Sequence, residues 1–124
     1  MEEEVEECID RFFNAHLKLK ELGYNVIGWG GHPSTTSGHH DCYDKPPWSP
    51  VYGDCLTRNK ITLYWDKYLR SKCDKNDIKF VSIVNSLIDK DGLTKMSYFT
   101  DYCHLSTEKL LEDIILMFDK EGLT

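Results

Sequence analysis

The feature that most constrains this chain is the order in which helical and extended patterns alternate along it. Val5, Cys8, Ile9, Phe12, Phe13, Leu17, Leu19 and Leu22 recur at helical spacing between charged residues, which predicts a helix over 3–22. Gly23 stops it, as a C-terminal glycine commonly does. Tyr24-Asn25-Val26-Ile27-Gly28-Trp29 then reads as a short strand. A second helix is expected over 57–73, with Ile61, Tyr64, Trp65, Tyr68 and Leu69 on one face; Asp74-Lys75-Asn76-Asp77 breaks it. The β-branched run 78–84 is the clearest strand. Asp89-Lys90-Asp91-Gly92 marks a turn, and Ser106 or Thr107 can cap a last helix through about Lys120. Leu110, Leu111, Ile114, Ile115 and Phe118 are expected to face inward from that helix.

Strands that alternate with helices imply parallel pairing through right-handed crossovers. Two strands make a narrow sheet, and parallel sheets normally extend further and are covered on both faces. The expectation is one α/β domain over residues 1–124 containing a partial parallel sheet. Between Gly30 and Asp54 the composition changes to Gly, Pro, Ser, Thr and His. Pro46-Pro47-Trp48-Ser49-Pro50 forbids regular structure there, and loops of this length in compact domains are often functional.

Composition narrows the function classes. A chain of 124 residues suffices for one domain. A formal net charge of -6, partly from the solvated helix start at Glu2, Glu3, Glu4, Glu6 and Glu7, argues against nucleic acid as a partner, which calls for clustered Lys and Arg. No apolar run approaches the roughly 20 residues of a membrane span. The N-terminus is acidic and amphipathic, unlike a signal peptide. Five scattered cysteines without a CxxC pair fit reduced thiols and a cytoplasmic setting. An export signal on a lost upstream half would escape this reading.

Asp101-Tyr102-Cys103-His104-Leu105-Ser106 is the sharpest chemical signal. A hydrolytic base needs an imidazole, and a carboxylate must orient it and stabilise its charged form. Three-residue spacing on a turn entering a helix can bring both side chains to one rim. Spacing alone is weak; the context adds to it, because an apolar strand, a turn and the pair Tyr98-Phe99 precede the motif and a capped helix follows it.

This ordered block resembles the C-terminal part of SGNH-type (GDSL-like) hydrolases, where an Asp-x-x-His-Leu-Ser/Thr stretch opens the last helix. Gly53 to Asn59 leading into the second helix, the strand Phe80-Val81-Ser82-Ile83, and Asp91-Gly92 also resemble the family's approach to its histidine. Leu22-Gly23 and Val26-Ile27 leading to Gly30, Pro33 and Ser34 are similar to its mid-domain unit. The resemblance implies a flavodoxin-like, three-layer α/β/α fold and hydrolysis of a small-molecule or carbohydrate ester. It implies His104 as general base, Asp101 as its orienting partner, and no cofactor or metal. It also implies a serine in a Gly-Asp-Ser block and glycine and asparagine oxyanion donors upstream, none of which is recognisable here. On this reading the chain is truncated and inactive alone.

Other residues admit weaker readings. Gly53-Asp54-Cys55-Leu56 invites comparison with Gly-Asp-Ser-Leu, and a thiol at a helix N-terminus can be a nucleophile. The segment follows a proline-rich loop instead of a strand, which favours a coincidental loop sequence. His32, His39, His40, Asp41 and Cys42 include suitable zinc ligands, yet their spacing matches no common site. Tyr64, Trp65 and Tyr68 could stack on a ligand but at helical spacing read as core. The rival to an esterase is a non-catalytic interaction module whose sheet edge pairs with a complementing chain or another copy.

Overall fold

The computed structural model describes residues 1–34, 53–100 and 104–123. Its elements are α1 (Glu2–Glu21), β1 (Ile27–Trp29), α2 (Cys55–Lys75), β2 (Lys79–Val81), the short α3 (Val84–Leu87), a 3-10 turn at Met96–Tyr98, and α4 (Thr107–Lys120). β1 and β2 form a parallel two-stranded sheet in the register Ile27 to Lys79, Gly28 to Phe80 and Trp29 to Val81. The chain is thus a mixed α/β fold with the parallel pairing that the helix–strand alternation demanded.

α1 and α2 lie on one face of the sheet. Ile9 and Phe13 from α1 pack with Leu69 and Cys73 from α2 and with Ile78 and Phe80 beneath them. A second cluster, Ile83, Leu87 and Leu110, gathers Tyr98, Leu105, Ile114 and Met117 around α4. Trp29 projects from the face opposite Gly28, because side chains alternate along a strand. Its ring meets Phe118 with centroids 6.2 Å apart, so α4 reaches that face.

Three local expectations change. Tyr24, Asn25 and Val26 precede the pairing instead of joining it, and Ile83 N-caps α3, which ends β2 before residue 84. Leu111 and Ile115 are 53% and 47% exposed. α4 buries a single stripe led by Leu110, and its next stripe has no described element to cover it beyond the contact of Phe118.

The third difference lies in α2. Tyr64, Trp65 and Tyr68 are half-buried against α1: Tyr64 donates to Glu6 at 2.5 Å and Tyr68 to Asp10 at 3.1 Å. Asn59 and Asp66, which look like solvent residues, are buried to 0% and 5% exposure. They belong to a second stripe with Cys55, Thr62, Leu69 and Cys73, spaced four and three apart, that lies along β1 and the loop after it. α2 therefore buries two faces and shows little amphipathic contrast.

β1 and the loop after it accept so close a helix because Gly28, Gly30 and Gly31 carry no side chain. A Cβ on Gly28 would stand 2.6 Å from Cys73 Sγ, and one on Gly31 would stand 2.7 Å from Thr62 Cγ2. A Cβ on Gly30 would overlap Asp66 and Ser82 more severely still. Among the described residues no helix is long and apolar enough to cross a membrane.

Candidate functional site

The carboxyl ends of parallel strands are where open α/β folds place ligands, and here the loop after β1 is fastened there residue by residue. Gly30 N–H donates to Val81 O at 2.8 Å, continuing the ladder one step beyond the strand. Gly31 N–H donates to Asp66 Oδ1 at 2.8 Å, and Ser82 Oγ, just after β2, donates to the same oxygen at 2.7 Å. One buried carboxylate oxygen thus joins both strand ends. Ser34 N–H donates to Asn59 Oδ1 at 2.9 Å, and Arg58 Nε donates to Ser34 Oγ at 2.5 Å.

Asn59 also reaches the turn before the 3-10 segment. Its amide nitrogen donates to Gly92 O at 2.9 Å and Thr94 Oγ1 at 3.0 Å. The Thr94 hydroxyl donates to Ser34 O, which closes a small polar network between two loops. Asp89 Oδ1 accepts from Asp91 N at 2.8 Å and Leu93 N at 3.0 Å, shaping the turn, while Gly92 supplies a φ of 85° that a side chain would resist.

His104 is exposed immediately before α4. Phe99 and Leu105 form an antiparallel bridge, and Thr100 N–H donates to His104 O at 2.8 Å. Ser106, expected as the cap, accepts from Lys109 N at 3.4 Å, while its own N–H donates to Tyr98 O at 2.7 Å. The histidine is therefore carried on backbone pinned from both sides. Its proposed partner Asp101 lies outside the described residues. The segment also touches the β1 loop, because the His32 ring stands edge-on to Phe99 with centroids 5.5 Å apart. His32 Nδ1 lies 2.7 Å from Pro33 O. Phe99 thus links the strand-end loop to the segment bearing His104.

The remaining sequence candidates separate. Of the histidine-rich cluster, His32 is described, and His39, His40, Asp41 and Cys42 lie outside the described residues. Among the described residues no group of three His, Cys, Asp or Glu side chains is arranged to hold a metal ion. Asp54 caps α2 by accepting from Thr57 N at 2.7 Å. That places Cys55 at the first helical position. Its side chain is buried, 3.5 Å from Asn59 Nδ2 and 3.6 Å from Thr94 Oγ1. Burial withholds it from a substrate. Cys73 is buried among apolar side chains, which pushes its thiol up to about 11.

Sequence reasoning missed Asn59 and Asp66, the residues that hold the strand ends together. Their signal was available in the stripe Cys55, Asn59, Thr62, Asp66, Leu69, Cys73, but polar members disguise it as a solvated face. The chain matches no protein-family model, no curated protein and no solved structure.

Proposed function

We propose that this chain carries the acid–base end of an SGNH-type ester hydrolase, in a flavodoxin-like three-layer α/β/α architecture. His104 is the general base and Asp101 the carboxylate that orients it. The observation that supports this reading is the setting of His104. It is an exposed imidazole on pinned backbone, directly before a Ser-capped helix and linked through Phe99 to the loop at the strand ends.

In this mechanism Asp101 accepts from Nδ1–H of His104, leaving Nε2 bare to take the proton of a serine hydroxyl as it attacks an ester carbonyl. The same imidazole returns that proton to the departing alkoxide. No Gly-Asp-Ser block occurs in the 124 residues, so the nucleophile and oxyanion donors come from outside them. The substrate class is a small-molecule or carbohydrate ester. The chain by itself supplies a base without a nucleophile and turns over no ester.

The imidazole tautomer tests the dyad without requiring activity. Nitrogen-resolved NMR of the histidine rings is expected to show His104 as the Nδ1–H form, because the second-partner hydrogen bond sets which nitrogen keeps its proton. Asp101→Asn should abolish that preference. An unchanged tautomer would mean that the two residues are not partners. An acyl-enzyme burst with an activated ester, lost in Cys55→Ala, would assign the chemistry to the thiol instead.

A further inference from the structure

Among the described residues β1 is an edge strand, with apolar surface on both sides of the edge turned away from β2. Gly30 N–H is spent on Val81 O, so the alternation of a strand turns the N–H and C=O groups of Ile27 and Trp29 the other way. Among the described residues β1 pairs with β2 alone. From Val26 to Gly31 this edge carries no charge, no proline and no bulge, the devices with which natural edges avoid pairing. Ile27 and Trp29 are 42% and 45% exposed.

α1 presents a matching seam beside that edge. Cys8, Phe12, Ala15, Leu19 and Leu22 are exposed and spaced four, three, four and three, the pattern of a helix seam that meets another helix. It is distinct from the stripe of Val5, Ile9, Phe13 and Leu17 that packs on α2. Phe12, Ala15 and Leu19 line an open groove of about 450 Å³ whose other wall is Tyr24 to Ile27.

We propose that two copies of this chain join through this edge as a twofold dimer, with β1 antiparallel to β1 and the α1 seams packed across the same axis. Three features favour a second copy over an unrelated partner. The strand is self-complementary about Gly28: in an antiparallel pair the free groups of Ile27 face those of Trp29 in the other copy, and Trp29 faces Ile27. The axis that satisfies this also turns α1 antiparallel to itself, and in the proposed dimer the seams cross between Phe12 and Ala15, the middle of the exposed stripe, which sets Cys8 level with Leu19 of the other copy and Phe12 level with Ala15. Finally, Phe12, Leu19, Leu22, Tyr24, Ile27 and Trp29 together expose on the order of 600 Å². With the strand edge added, this approaches the roughly 800 Å² per partner of a stable interface. A closed twofold contact uses the same patch on both copies, so it ends at two.

The test is crosslinking combined with mass in solution. The untagged chain should run by light scattering at twice its 14.5 kDa. Leu19→Cys, oxidised mildly, should give an intermolecular disulfide between the introduced thiol and Cys8, read by peptide mass. Within one copy the two positions are eleven residues apart on a helix, about 16 Å, too far to bridge. Leu19→Glu and Trp29→Lys alter exposed side chains. Each should give a monomer that keeps its helical circular dichroism and cooperative unfolding. A wild-type chain that stays at 14.5 kDa at millimolar concentration overturns the proposal. So does a dimer that survives both charge substitutions, or one in which Cys8 pairs with Cys8 instead, since that excludes seams crossing between Phe12 and Ala15.

Discussion

Removing the Asp66 carboxylate should damage the fold at the point where the two strand ends meet. Asp66→Ala leaves Gly31 N–H and Ser82 Oγ–H without the oxygen they share at 2.8 and 2.7 Å. Hydrogen bonds to a charged acceptor contribute about 1.5–3 kcal/mol each. The Ser82 hydroxyl can turn to another acceptor, whereas the Gly31 amide is fixed by its backbone. The expected loss is therefore about 3 kcal/mol, less than the full pair of bonds. Against a total stability of about 5–15 kcal/mol that is a large fraction. Asp66→Asn keeps an oxygen at the shared Oδ1 position while replacing the other oxygen with an NH2 donor, so about 1 kcal/mol is expected there. Urea unfolding at one fixed chain concentration measures both; concentration must be held because association would add to apparent stability. In a double-mutant cycle, Asp66→Ala and Ser82→Ala should be non-additive. If Asp66→Ala stays within about 0.5 kcal/mol of wild type, as an ordinary surface change does, the carboxylate does not hold the strand ends.

Gly28→Ala should lower stability by about 1–3 kcal/mol through overpacking against Cys73, and Cys73→Ala should partly rescue it in the double variant. Thermal unfolding of the four chains measures this. The Lys72 ammonium, 2.6 Å from Asp10, holds that carboxyl below its ordinary value of 3.8. The pair's contribution is present above that value and disappears as pH falls through the lower folded-state value. Lys72→Met should therefore flatten the acid limb of stability against pH, while an unchanged limb would remove the pair from the account. At the alkaline end, burial raises Cys73 from 9.0 to about 11, so stability should fall as pH rises across that window. Cys73→Ala should remove this component from an alkaline titration of unfolding. Ser106→Ala should cost about 1 kcal/mol by uncapping α4, with circular dichroism reporting the loss.

What was legible in the sequence follows the strength of each local signal. α1, α2, the Ser106 cap and the parallel pairing could be read because spacing, breakers and element order agreed. The strands were drawn too long because apolar residues at 24–26 and 82–84 carry β-propensity whether or not a partner strand reaches them. Ile83 and Val84 instead turn to bury beside Leu87 and Leu110. Leu111 and Ile115 were assigned inward because helical period alone cannot say how many stripes a domain has neighbours to cover. At the candidate site, His104 stood out by chemistry and its cap by pattern. Asn59 and Asp66 did not, because a polar residue serving backbone amides is identical in sequence to one serving water.

The pairing of β1 with β2 also has a kinetic consequence. Ile27 and Lys79 are partners across 52 residues of chain (79 minus 27), so closing that loop costs entropy before any ladder bond offsets it. α2 and β2 are contiguous, and Ile78 N–H already bonds Cys73 O at 2.9 Å across their junction. That hairpin-like unit can form early and wait. β1, with Gly28 on the face toward α2, has little side-chain surface with which to find that helix. Its register rests instead on the bonds that Asp66 and Asn59 accept from Gly31 and Ser34. If β1 docks last, Asp66→Ala should slow refolding as well as lower stability, and a chain halted before docking would present an unpaired β2 edge to other chains.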